Sequence, residues 1–141
     1  MSKREGEMAR TATIFTAVVA LMVLLSAGAV LAASPIIGTE RSEQIIGTRN
    51  AEEIRGLGGE DEIIDGLGRD VVVGGKGADN LIGYGRDTSV DRFSGGTGKD
   101  TIQSGDVPAS KDRVFCGPGV DLVYADKADV LSRDCERVRF R

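Results

Sequence analysis

The stretch VVVGGKGADNLIGYG, residues 71–85, sets five glycines and one aspartate between two apolar patches. Glycine loses more backbone freedom on folding than any other residue, and strand interiors avoid it. A single segment of this kind is a poor structural element. Repetition changes that.

Cut into nines, the chain falls into register around this stretch. The regular rows are GTERSEQII from Gly38, GTRNAEEIR from Gly47, GLGGEDEII from Gly56, DGLGRDVVV from Asp65, GGKGADNLI from Gly74, GGTGKDTIQ from Gly95 and CGPGVDLVY from Cys116. Two longer rows, GYGRDTSVDRFS from Gly83 and SGDVPASKDRVF from Ser104, each carry three extra residues. Column six is always acidic: Glu43, Glu52, Asp61, Asp70, Asp79, Asp91, Asp100, Asp112 and Asp121. Column eight is always apolar: Ile45, Ile54, Ile63, Val72, Leu81, Phe93, Ile102, Val114 and Val123. Glycine fills column four at Gly59, Gly68, Gly77, Gly98 and Gly119.

Each row reads as a glycine turn followed by a short strand that points one apolar residue inward. Two rows make one coil, so the fold predicted is all-β, a right-handed parallel β-roll, or β-solenoid, of nonapeptide repeats. One such coil cannot bury its apolar side alone, so stacking is obligatory.

The pattern G-G-x-G-x-D-x-U-x resembles the repeats-in-toxin (RTX, hemolysin-type) family, the calcium-binding parallel β-roll of secreted bacterial proteins. GGKGADNLI and GGTGKDTIQ fit it at every defined position, and the resemblance runs over roughly residues 38–124. The first two rows depart from it, with glutamate in column six and no glycine in column four. The CGPG row and the ending DCERV resemble the closing segment of short secreted members.

The acidic column has a physical consequence. Carboxylates stacked at a strand spacing of about 4.8 Å repel by roughly 3 kcal/mol per pair at an effective dielectric of ~20. A divalent cation reverses the sign of that interaction. Calcium suits the ligands at hand, because it accepts many oxygens in irregular arrangements of carboxylates and backbone carbonyls. Zinc, copper and iron prefer nitrogen or sulfur, and the chain has no histidine.

Alternate rows turn on opposite edges of the roll. One edge carries Asp61, Asp79, Asp100 and Asp121 in uninterrupted rows, with Gly59, Gly74, Gly75, Gly77, Gly95, Gly96, Gly98 and Gly119 bringing carbonyls close. Calcium is expected there. The other edge carries Asp70, Asp91 and Asp112 with both insertions, where binding is expected to be weak or absent. Glu43 and Glu52 read as solvated cap residues.

The first 32 residues are a different material. Lys3, Arg4 and Arg10 precede an uncharged apolar run that ends in VLA, the pattern of a signal peptide cleaved after Ala32 or Ala33. An uncleaved membrane anchor is the rival reading. Either way the remainder is expected outside the cell. There, Cys116 and Cys135 would pair, the alternatives being an intermolecular bridge or two free thiols. The organisation expected is a leader at 1–32, degenerate cap repeats at 33–55, the calcium-binding roll at 56–124 and a disulfide-bearing cap at 125–141.

The formal net charge of −4 argues against nucleic acid. No nucleophile–base pair can be named, so neither an enzyme nor a small-molecule substrate is expected. GGTGK lacks the Ser or Thr a phosphate loop needs after Lys99. The function that follows is calcium binding by a monomeric β-roll that folds when it meets calcium. The alternative is a calcium-independent structural or adhesive solenoid at the cell surface.

Overall fold

The computed structural model describes residues 35–141. The leader or anchor assigned to residues 1–32 lies outside the described residues.

Twelve short strands follow the rows. They are β1 (Ile36–Ile37), β2 (Gln44–Ile46), β3 (Glu53–Gly58), β4 (Glu62–Ile64), β5 (Val71–Lys76), β6 (Asn80–Ile82), β7 (Arg92–Thr97), β8 (Thr101–Gln103), β9 (Arg113–Phe115), β10 (Leu122–Ala125), β11 (Val130–Leu131) and β12 (Arg137–Phe140). Odd strands form one six-stranded sheet in the order β1-β3-β5-β7-β9-β11, and even strands form a second, in the order β2-β4-β6-β8-β10-β12. Every pairing is parallel. A chain that alternates between two parallel sheets in this way winds as a β-solenoid, the architecture the nine-residue period predicts.

Column eight sits in strict register. Ile54 aligns with Val72, Val72 with Phe93, and Phe93 with Val114. Ile45, Ile63, Leu81, Ile102 and Val123 do the same in the second sheet. All nine of these apolar residues are buried, and Cys116 and Ala125 join them. The insertions are absorbed in the turns 83–91 and 104–112, because strand register runs unbroken across both.

The interior also holds something the apolar pattern alone does not. Asp61, Asp79, Asp100 and Asp121 are between 0 and 2% exposed. Each lies two residues before its core neighbour, and strand geometry sends positions i and i+2 to the same face. The acidic column is therefore lodged inside, at the rim of the core.

Candidate metal centre

On the uninterrupted edge the aspartates form a staircase. The Glu43 N–H donates to Asp61 Oδ1 at 2.9 Å, Asp61 N–H to Asp79 Oδ1 at 2.9 Å, Asp79 N–H to Asp100 Oδ1 at 2.9 Å, and Asp100 N–H to Asp121 Oδ1 at 2.8 Å. Glu136 adds a last step, accepting the Asp121 N–H at 3.0 Å. One oxygen of each aspartate is thus fixed by the preceding coil. The Oδ2 atoms of Asp61, Asp79, Asp100 and Asp121 are buried and have no hydrogen-bond partner. A buried acceptor without a donor is costly and uncommon. Here it recurs at every aspartate of one edge.

The glycines explain the space around these oxygens. A Cβ on Gly56, Gly74 or Gly95 would collide with Oδ2 of Asp61, Asp79 or Asp100 in its own turn, and with a carbonyl oxygen of the next coil. A Cβ on Gly77 or Gly98 would overlap the carbonyl oxygen of Gly59 or Gly77 one coil before. Column four is therefore glycine because the backbones stack at carbonyl distance. The turn edge is consequently lined with peptide oxygens, beside a row of free carboxylate oxygens.

This donor set fits calcium. Among the described residues no three His, Cys, Asp or Glu side chains converge on one point. A cation here would therefore draw most of its ligands from backbone carbonyls, which calcium tolerates and softer metals do not. Burial pushes the Asp61, Asp79 and Asp121 carboxyls above the usual carboxylate range, against the pull of the backbone N–H each accepts. Asp100 is pushed up to about 6, by burial first and then by the charges of Asp79 and Asp121. A nearby cation would restore the ionised form.

The interrupted edge repeats the staircase with different partners. Glu52 N–H donates to Asp70 Oδ1 at 2.7 Å, Asp70 N–H to Asp91 Oδ1 at 2.8 Å, Asp91 N–H to Asp112 Oδ1 at 2.8 Å, and Asp112 N–H to Asp129 Oδ1 at 3.0 Å. Here the second insertion supplies a hydroxyl: Ser110 donates its one proton among Asp106 Oδ2 at 2.6 Å and the two carboxylate oxygens of Asp112 at 3.1 Å. Ser104 donates to Asp129 Oδ2 at 2.8 Å. Asp87, from the first insertion, accepts the N–H groups of Gly68 and Ser89 at 2.6 and 3.0 Å. Asp70 and Asp65 each keep an unpartnered buried Oδ2. Burial pushes Asp70 up to about 7 and Asp65 up to about 8, with the charge of Asp91 adding to both. Asp106 and Asp112 are raised as well, by burial first and then by neighbouring carboxylates.

Glu43 and Glu52 are not ligands in waiting. Both carboxylate oxygens of Glu43 accept from Thr39, and both of Glu52 from Thr48. Glu52 is also buried, so this cap residue is satisfied by its own turn and not by solvent. The cysteines pair within the chain, Cys116 to Cys135 with Cα atoms 5.2 Å apart, and there is no free thiol. Cys116 stands in column one, where the three preceding turns of its edge hold glycine.

Sequence reasoning did not single out Asp65, Asp87, Asp106, Asp129 or Glu136. The last two continue the staircases but stand 17 and 15 residues beyond Asp112 and Asp121, where the nine-residue count has lapsed. The signal for Asp65 was present: an acid in column one, where the pattern wants glycine.

Comparison with known protein families finds the RTX calcium-binding nonapeptide repeat, in four copies, at residues 46–81 and 83–106. Comparison with curated proteins and with solved structures gives no match. The same coil geometry continues on either side of the matched segment, through β1 and β2 before it and β9 to β12 after it. Sequence, staircase and cradle converge: residues 46–106 of this chain belong to the RTX calcium-binding nonapeptide repeats.

Proposed function

We propose that this protein binds calcium chiefly along its uninterrupted edge, and that binding completes the folding of the roll outside the cell. The observation that carries the reading is the row of buried, unpartnered Oδ2 atoms at Asp61, Asp79, Asp100 and Asp121. These carboxylates would hold the ion, together with carbonyls exposed by the glycines at 59, 74, 75, 77, 95, 96, 98 and 119. Bound calcium supplies the positive charge that cancels repulsion along the column.

The ligands come from successive coils, so no site exists until the coils stack. Binding free energy is then folding free energy. A chain of this kind stays open where calcium is scarce and closes where it is plentiful, which suits export through the leader at residues 1–32. Asp70, Asp91 and Asp112 are assigned weaker binding because the insertions interrupt that edge; of the three, only Asp70 keeps a buried Oδ2 without a partner.

A calcium titration of the full chain, followed by far-ultraviolet circular dichroism, tests the reading. Strand signal should rise with calcium and fall on chelation, leaving a less stable roll. A second reading, a calcium-independent structural solenoid, is favoured by the N–H to Oδ1 staircase, which partners half of each carboxylate without an ion. Strand content unchanged in excess chelator would support that reading and overturn ours.

A further inference from the structure

The outer face of the odd-strand sheet carries a column of its own. Column seven there runs Glu53, Val71, Arg92, Arg113 and Val130, in register from strand to strand. Arg92 and Arg113 are therefore direct neighbours, one strand spacing apart, about 4.8 Å. The same column of the even-strand sheet, Gln44, Glu62, Asn80, Thr101, Leu122 and Arg137, sets no two like charges side by side. Like charges directly opposite each other destabilise a sheet.

The protein does not relieve this pair. Both arginines are exposed, and among the described residues the ion pair on this face is Arg55 with Glu53, two strands away. The Arg92 guanidinium lies 4.5 Å from the centre of the Phe115 ring, so its planar fork is held before any ligand arrives. A third cation joins from the coil before. Arg69, also exposed, lines a hollow with Arg92, Arg113, Val71 and Val90. Asp70 and Asp91 border the same hollow but are only 1 and 3% exposed, and Asp91 Oδ1 is taken by the Asp70 N–H at 2.8 Å. Burial raises the Asp91 carboxyl and Arg69 pulls it back, yet the two form no ion pair among the described residues. What a ligand meets at this surface is three guanidinium groups from three successive coils.

We propose that Arg69, Arg92 and Arg113 form a site for a tetrahedral oxyanion, a sulfate or phosphate group. Forks that approach from three coils suit an acceptor with oxygens on several sides, whereas a planar carboxylate occupies one fork. The negative charge of the group offsets the repulsion between Arg92 and Arg113. Val71 and Val90 give the hollow an apolar side, against which the carbon body of an ester would lie. The site needs stacked coils and does not depend on where calcium binds.

A sulfate titration of the full chain in saturating calcium, followed through the arginine Nε–H resonances, tests the proposal. The resonances of Arg69, Arg92 and Arg113 should shift together and saturate, while sodium chloride at matched ionic strength gives no saturable shift. Arg92→Gln and Arg113→Gln should each weaken sulfate binding about tenfold or more, the scale of one hydrogen bond to a charged group. Arg55→Gln, on the same face, should leave it unchanged. Arg92→Lys keeps the charge but loses the fork, and should weaken binding as well. All these positions are exposed, so strand content should match wild type.

Inorganic sulfate and a sugar sulfate ester separate two sources of the group. Comparable binding of the ester supports a group carried on a larger molecule, and binding of inorganic sulfate alone supports the free ion. Shifts that grow linearly with sulfate, that chloride reproduces, or that Arg92→Lys leaves intact would overturn the proposal, leaving only a diffuse field of positive charge. A roll equally ordered in chelator would sink the calcium reading and leave this test standing.

Discussion

Replacing Asp79 by asparagine should move stability in opposite directions with and without calcium. Asparagine keeps an acceptor oxygen for the Asp61 N–H, now 2.9 Å from Asp79 Oδ1, so the staircase survives. It removes one charge from a column in which Asp61 and Asp100 stand one strand spacing away, about 4.8 Å. At an effective dielectric of ~20 each such pair repels by roughly 3 kcal/mol. The protein is not free to relax the repulsion, because Oδ1 is pinned by the backbone. With water screening taken into account, the variant should be about 1–3 kcal/mol more stable in excess chelator.

In saturating calcium the sign reverses. A site that loses its central carboxylate ligand and binds on the order of 100-fold more weakly forfeits about 2.7 kcal/mol of linked stability. Urea melts of the full chain, in chelator and in calcium, should therefore cross: wild type lower in the first and higher in the second. A shift of the same sign in both conditions would refute the reasoning. Asp112→Asn is the control, since neither oxygen of that carboxylate is left without a hydrogen-bond partner. Equal loss of calcium affinity in the two variants would refute the sidedness.

Three further outcomes follow from the geometry. Without calcium, stability should fall as pH rises. Folding raises Asp65 from 3.8 to about 8 and Asp70 to about 7, so between those limits the native state holds protons the unfolded chain has shed. Urea midpoints in chelator should be higher at the acidic end of that window, and calcium should flatten the slope. Gly77→Ala should cost several kcal/mol or prevent folding, because its Cβ would overlap the Gly59 carbonyl at a positive φ. Gly85→Ala, whose Cβ would meet nothing closer than 3.9 Å, should be tolerated in the same thermal melts. Replacing Cys116 and Cys135 together by alanine should cost about 3 kcal/mol, and hydrogen exchange should rise first in β11 and β12. Uniform loss of protection would count against a disulfide that holds the last coil.

The fold was legible because its period is short and its columns are clean. Ile54, Val72, Phe93 and Val114 announce their alignment by recurring two residues after an acid, and the insertions do not disturb it. The division of the aspartates into two edges was legible from row parity. The backbone's use of Oδ1 was not, since a repeated acid does not reveal which of its oxygens the main chain takes. Nor was the satisfaction of Glu52 by Thr48, which depends on a turn closing over four residues. The far ends of both staircases were hidden because Asp129 and Glu136 sit in rows that have lost the nine-residue count.

The distribution of donors along the roll gives the pattern its meaning. At the first coil, threonines close both glutamates. Toward the last, Ser104 and Ser110 serve the interrupted edge, and the disulfide occupies a glycine place on the other. Beyond the first coil, Asp61, Asp79, Asp100 and Asp121 on one side and Asp65 and Asp70 on the other are left with a buried free oxygen. A carboxylate whose other oxygen is locked to the neighbouring coil cannot turn away to find solvent. The same hydrogen bond that sets coil register therefore presents each free oxygen to the turn, ready for an ion. Removing the ion leaves these charges unopposed, so loss of calcium should loosen the coils that carry these aspartates before the first coil. Chelated protein that exchanges amide hydrogens faster at β1 and β2 than at β5 and β6 would contradict this ordering.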